Sequence, residues 1–439
     1  VNEIIVIGAG LAGLSAAFDL TQAGKRVRVL EQKPYVGGRT SSWDFDGMQV
    51  ESGLHRVPAF YREMLGLMEK AGIDLDKALI WEDEVEVCVP DGPSAVYAVS
   101  LPRYPLRTMS NIFGPNELCS LRERVALGAF FGAGLIQHAL RPGSLDAWSV
   151  YDYARKFGVS DRAIERILVP MTEGLFFLHP KRYSAHVLFG LIAQGAKHPM
   201  RTGLAAFGGG MTEVMVEPIA AAIRRAGGVV ETNQNVTALI NSGNKITGVQ
   251  VGDTIFPTEK IVLATSLAPA QKLLRDAFGV QEWNKNLLSL KPMPSATFQL
   301  ELSQPGWPLD RMTFAPGTSI TTFSEQSRTT FPSKAGRLSF ILSEPERRLQ
   351  ESPEALLAEV IADAKRIGMN LEGIVQNYRA VFWPEEFYYL TPGNDDLRPT
   401  QKTPIEGLAL AGDYTKQPFL TTMEGAVISG KLAAEIVVR

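Results

Sequence analysis

Three glycines, an acid and a second glycine pair stand near the N-terminus at spacings suited to holding phosphate. In Ile7-Gly8-Ala9-Gly10-Leu11-Ala12-Gly13, Gly8 permits a tight turn and Gly10 lets backbone approach a pyrophosphate. Gly13 lets a helix lie close on a strand. Glu31 follows Gly13 by eighteen residues, where a carboxylate can accept hydrogen bonds from a ribose hydroxyl pair. Gln32 then leads into Gly37-Gly38-Arg39-Thr40. Two flexible positions there precede a guanidinium whose fork matches phosphate oxygens better than an ammonium would. At the far end stand Gly412-Asp413 and Thr422-Met423-Glu424-Gly425. Such a set serves dinucleotide binding. No His/Cys/Asp cluster has metal-ligand spacing, and no Gly-x-Ser-x-Gly elbow is present.

These groups need elements to position them. Ile4–Ile7 reads as an apolar strand, and Leu11–Leu20 as a helix whose free amides and dipole meet the phosphate. Arg26–Leu30 is a second strand, delivering Glu31. Gly208–Gly210 precede an amphipathic helix that reaches Arg225 and stops at Gly227-Gly228. Val229–Thr232, Asn235–Ile240 and Ile246–Val251 follow as strands, with a turn at Asn241–Asn244. Lys260–Thr265 has the composition of a buried parallel strand. Leu408–Thr415 is another apolar strand, and Met423 opens a second helix.

The predicted fold is α/β, a Rossmann-like nucleotide domain with an interleaved α+β substrate domain. The nucleotide domain is expected from residues 1–80, 206–275 and 400–439, the substrate domain from 81–205 and 276–399. The first substrate segment reads as helical and the second as mixed. Asn286–Leu302, Arg337–Ser343 and Ile374–Phe382 have strand composition, and Ser352-Pro353-Glu354 starts a capped helix with proline in its first turn.

A chain of 439 residues exceeds one core, which agrees with two domains. The net charge is −3 with no basic block, so nucleic acid is not an expected partner. Cys88 and Cys119 form no redox or metal spacing, and a reduced, cytoplasmic setting is expected. With the first strand beginning at Ile4, no signal or transit segment is expected. Val125–Leu140 is the most apolar helical stretch, with Arg122 and Arg124 before it and Arg141 after it. As a helix it runs about 24 Å, short of a ~30 Å hydrocarbon core. It reads either as a segment dipping into one leaflet, its arginines at the head groups, or as a core helix of the substrate domain.

The Gln32–Thr40 run resembles the second FAD motif of the flavin amine oxidase and carotene desaturase superfamily. Glu51-Ser52-Gly53-Leu54-His55 matches the stretch of these enzymes that passes beside the flavin ring. Ala411–Ala426 is similar to the closing motif of plant- and cyanobacterial-type phytoene and zeta-carotene desaturases, and Ser149–Tyr153 through Phe177–Pro180 looks like that branch. The resemblance implies FAD as cofactor, with the backbone at Val236 meeting the adenine. Asp413, after Gly412, would hold the ribityl or pyrophosphate end. Met423, after Thr422, would offer its amide to the pyrimidine edge.

The activity implied is desaturation of a long isoprenoid hydrocarbon by hydride transfer to flavin. Quinone or oxygen would take the electrons, and a membrane surface would supply the substrate. The alternatives are an amine oxidase, a hydroxysqualene dehydroxylase-like enzyme, a carotene isomerase without net redox, and a flavin-stabilised binding protein. Alignment by eye puts Phe298 where amine oxidases commonly carry a lysine beside flavin N5. It puts Thr422 where they often carry a cage aromatic, and without such a face an amine loses cation–π recognition. Gln194 stands where plant-type desaturases carry an arginine, which leaves the electron acceptor open. His55, Glu173 and His179 are the polar groups near the expected flavin and tunnel. Each reads equally as a structural group, and no base is assigned.

Overall fold

The computed structural model describes residues 3–100, 103, 106 and 117–438. Its nucleotide-binding part is a five-stranded parallel sheet in the order Val229–Glu231, Arg26–Leu30, Glu3–Ile7, Lys260–Leu263, Leu408–Leu410. Ile5, Val6, Val29, Ile261 and Val262 are fully sealed, as expected of parallel strands covered on both faces. The helix after the first strand spans Leu11–Gln22, and the last helix, Met423–Val438, lies directly on it. Two glycines make that approach possible. A Cβ on Gly13 would lie 1.9 Å from the Gly8 carbonyl oxygen, and one on Gly430 would lie 2.1 Å from that of Ala12. The Ser15 hydroxyl donates to the Val427 carbonyl at 2.9 Å and ties the two helices together. The chain's two ends therefore meet over one sheet.

A seven-stranded sheet forms the second layer. Its order is Val375–Tyr388, Pro292–Leu302, Gly336–Leu342, Ile320–Glu325, Met312–Phe314, Glu84–Cys88, Ser94–Ala98. All pairs are antiparallel except Met312–Phe314 with Glu84–Cys88. The expected strand from Asn286 is corrected here: Lys285–Ser289 is helical and the strand starts at Pro292. The Gln271 side-chain amide donates to the carbonyls of Leu287 and Leu290, both at 2.7 Å, and so terminates that helix. The strand from Val375 runs past Phe382 to Tyr388, and a register shift opposite Met293–Ser295 absorbs Pro384. Ser352 caps Pro353–Arg366 as expected, accepting from the Ala355 amide. The helix leading to Arg225 opens with a π turn over Thr212–Val216. Pro218 follows; it has no N–H to donate, and the wider turn relieves its ring against the preceding carbonyls.

The segment 81–205, expected to be helical, also holds the strands Glu84–Cys88 and Ser94–Ala98; its helical part contains Leu121–Leu140, which starts four residues earlier than Val125. A capping box of Ser120 and Glu123 sets that start, placing Arg122 and Arg124 inside the first turn. Its inner face is core: the Phe130 ring lies 5.8 Å from Tyr153 and 5.1 Å from Phe189, and a Cβ on Gly134 would meet Phe189 at 2.0 Å. Its outer face carries Leu121, Val125, Ile136 and Leu140, each 63–76% exposed. The inner face is thus core, and the outer apolar side chains are exposed. Among the described residues no helix is long and apolar enough to cross a membrane.

Candidate functional site

A cavity of about 1050 Å³ runs between the two sheets. Gly8, Gly10, Leu11, Ala12, Glu31, Gln32, Gly38, Arg39 and Thr40 line it from the N-terminal side. Gly53, Leu54, His55, Val236, Gly412, Asp413, Thr422 and Met423 complete the wall. Gly13 is the one expected site residue off the wall, because its bare Cα faces the Gly8 carbonyl beneath.

At the phosphate end, Gly8 holds φ +99° and donates to the Leu30 carbonyl at 2.8 Å. Gly10 caps the first helix, and the nearest atom to a Cβ there, the Gly37 carbonyl oxygen, is 4.0 Å away. That gap is room for another molecule's atoms against backbone amides at a positive helix end. The Glu31 carboxylate is fixed by the Ala9 amide at 2.8 Å and the Lys33 amide at 2.9 Å. Arg39 grips Asp413 with both terminal nitrogens, at 2.9 and 2.6 Å, and the Thr421 hydroxyl donates to the same carboxylate at 2.5 Å. Burial opposes charge on Asp413, but Arg39 and Thr421 hold its carboxyl below the usual range. Arg39 and Asp413, expected separately at the cofactor, are joined here as one ion pair on the cavity wall.

The segment Glu51–Arg56 is clamped from the second sheet. Gln299 mimics a strand neighbour, accepting from the Glu51 amide at 3.3 Å and donating to its carbonyl at 2.5 Å. Thr297 donates to the Ser52 carbonyl at 3.2 Å, and its methyl lies 3.2 Å from where a Gly53 Cβ would be. Strand alternation then decides Phe298. It points to the opposite face, fully buried, with its ring 5.8 Å from Tyr378. Phe298 is therefore off the cavity wall. Thr297 and the cavity-lining Ser295 face the other way, and neither is a lysine.

The three polar candidates separate. His55 lines the cavity, its Nδ1 3.0 Å from the Gly53 carbonyl oxygen. A carbonyl only accepts, so Nδ1 carries the hydrogen. Burial, with Arg39 and Arg56 adding repulsion, pushes this imidazole down to about 4. Glu173 lies off the wall; burial lifts its carboxyl to about 7, and the Glu344 amide bonds it. His179 is also off the wall and accepts from the Lys181 amide at 3.2 Å. Gln194 is buried, accepts from Lys197 and does not reach the cavity.

The closing turn is built by Thr422, whose hydroxyl donates to the Phe419 carbonyl and accepts from the Gly425 amide, so it caps the last helix at Met423. Glu424 points away and accepts from the Glu63 and Met64 amides at 2.9 and 2.8 Å, capping Arg62–Lys70. Sequence reasoning missed Tyr61, Ser295, Trp383 and Phe387 on the cavity wall. The Lys33 ammonium stands 3.4 Å from the Trp383 ring centroid. No local spacing signals such cross-sheet partners.

Residues 11–438 match the family described as flavin containing amine oxidoreductase. The chain belongs to that family. It is 26% identical over 461 residues to the 15-cis-phytoene desaturase of Synechococcus elongatus, covering 99% of this chain and 96% of that one. It is 28% identical to the chloroplastic/chromoplastic 15-cis-phytoene desaturase of Solanum lycopersicum, covering 100% and 78%. Among solved structures, an oxidoreductase from Methanosarcina mazei superposes with TM-score 0.77 at 20% identity, covering 99% of this chain and 100% of that one. A putrescine oxidase bound to putrescine superposes with TM-score 0.79 at 17% identity, covering 100% and 99%. Both share the fold. The protein is an FAD-dependent oxidoreductase. The open Gly10 cradle, the fixed Glu31 carboxylate and the cavity's reach to Met423 fit FAD.

Proposed function

We propose that this enzyme desaturates a long isoprenoid hydrocarbon. The observation that carries this reading is the wall beyond His55, where Leu54, Leu175, Phe176, Phe177, Met312 and Ile341 offer an apolar path with no lysine beside Gly53. Its relatives' names, phytoene desaturases at 24–28% identity, support the same substrate class. Bound FAD supplies a centre that accepts two electrons with one hydrogen. The protein's own residues then orient and dehydrate. Gln299 and Thr297 hold the Ser52–Gly53 backbone in place, the Arg39–Asp413 pair and Thr421 fix the grip, and the apolar wall keeps water from the reacting carbons.

A hydrocarbon reaches such a cavity from lipid. We assign that contact to the outer face of Leu121–Leu140, through Leu121, Val125, Ile136 and Leu140, at the cytoplasmic surface of a membrane. Quinone or oxygen reoxidises the cofactor. We divide the chain into an FAD-binding domain of residues 1–80, 206–275 and 400–439 and a substrate domain of 81–205 and 276–399. One observation favours an amine oxidase instead: Tyr61 lines the cavity and hydrogen-bonds Thr422, giving one aromatic face near the closing motif. Anaerobic bleaching of the flavin by carotenoid precursors or by amines distinguishes the two.

A further inference from the structure

Turning CH–CH into C=C removes two hydrogens with different destinations. One C–H bond breaks and its electron pair and hydrogen leave for the cofactor. The neighbouring C–H gives up a proton, and its electron pair becomes the new π bond. The proton needs a lone pair that is open, unprotonated and inside the cavity.

The wall offers few. Both oxygens of Glu31 are held by backbone amides, and both of Asp413 are taken by Arg39 and Thr421. Glu385 is exposed. The Ser52 hydroxyl donates to the Arg39 carbonyl, and burial keeps the Tyr61 phenol protonated. His55 remains. With its hydrogen on Nδ1 against Gly53, the neutral ring carries its lone pair on Nε2. Nε2 has no protein partner among the described residues and is not one of the sealed polar atoms, so it opens to the cavity that His55 lines.

We propose that His55 is the catalytic base, its Nε2 accepting the proton that the substrate loses as the double bond forms. This rests on the desaturase reading. In balance, two electrons and one hydrogen go to FAD and one proton goes to Nε2; on reoxidation the acceptor, quinone or oxygen, takes the two electrons and two protons in all, becoming quinol or hydrogen peroxide, so the proton released by Nε2 is matched by one taken up.

The charges around the ring give this base a sense of redox state. Arg39 faces it from the glycine turn and Arg56 from its own segment. Asp413 offsets the first at 2.6 Å, and Asp310 at 2.6 Å with Glu82 at 3.4 Å offsets the second. Glu51 lies at the start of the same segment. Burial first, and the two arginines after it, keep the resting imidazole neutral and ready. Reduction of FAD held in the cavity that His55 lines would add negative charge there, which would favour the imidazolium.

The test uses the FAD-loaded protein with ring-labelled histidine, titrated by NMR in the oxidised and chemically reduced states, with His55→Gln assigning the signal. The expected result is a His55 titration below pH 5 when oxidised, moving up by about one to two pH units on reduction. A ring already charged at pH 7 in the oxidised protein, or one that ignores reduction, overturns the proposal. No substrate is needed, so this result stands apart from the desaturase reading. His55→Gln should keep its yellow flavin and its thermal stability. It should be reduced at least ~100-fold more slowly by whichever lipid bleaches wild type. An unchanged rate overturns the base assignment, whereas bleaching of wild type by no lipid overturns the desaturase reading and leaves the NMR titration to judge His55.

Discussion

Gly10 lines the cavity, and Glu424 stands behind its wall, capping Arg62–Lys70. Gly10 works by what it lacks, since the space its Cβ would take faces the cavity. Gly10→Val is expected to abolish FAD retention while the sheet still folds, measured as flavin absorbance per mole of purified protein. Glu424 works from behind, where burial lifts its carboxyl to about 7 although the Glu63 and Met64 amides oppose that. A carboxyl whose folded pKa exceeds its unfolded value binds the proton more tightly when folded. Its contribution is therefore full below the unfolded value of about 4.5 and is lost as pH rises through about 7. Glu424→Gln removes the ionisation and keeps one of the two accepted hydrogen bonds, because the two amides meet different carboxylate oxygens and an amide nitrogen only donates, so the variant is less stable at both pH values. The difference in melting temperature between pH 5.5 and pH 8 should shrink in this variant, and an unchanged difference would remove Glu424 from the account. The glycine spacing and Glu31 were legible in the sequence because their chemistry is local. The Arg39–Asp413 pair was not, since its partners lie 374 residues apart.

At the scale of elements, strand–turn–helix signals carried across well, because apolar runs and glycine stops act within a few residues. Two misreadings share one cause. Lys285–Ser289 became a helix because its terminating donor is Gln271, on another element. Phe298 was assigned to the cavity side because a one-residue slip in a strand exchanges its faces, and only the pairing with Val375–Tyr388 and Gly336–Leu342 fixes the parity. The Leu121–Leu140 helix was ambiguous for a related reason: its apolar residues cover both faces, and the sequence does not say which face meets protein. Replacing Val125 and Ile136 by Ser should weaken flotation with anionic liposomes and leave FAD bound, because both side chains are exposed. Phe130→Ser should instead destabilise the fold by about 3–5 kcal/mol, since that ring is sealed between Tyr153 and Phe189. Flotation unaffected by the double substitution would detach the outer face from lipid.

The whole molecule brings the two ends of the chain over one sheet and sets a second sheet above them, so that one cavity has a polar grip at one end and an apolar wall at the other. The grip was readable from motifs, whereas the wall is assembled from residues spread between Leu54 and Phe387 and emerges only from the fold. The central claim is that this wall selects a hydrocarbon. It is tested most directly by titrating the FAD-loaded enzyme anaerobically with phytoene, zeta-carotene and hydroxysqualene in liposomes, beside a panel of primary and secondary amines, while following flavin absorbance. The account predicts bleaching by phytoene or zeta-carotene, with a product carrying one more double bond, and none by the amines. Bleaching by an amine and by none of the lipids would contradict it.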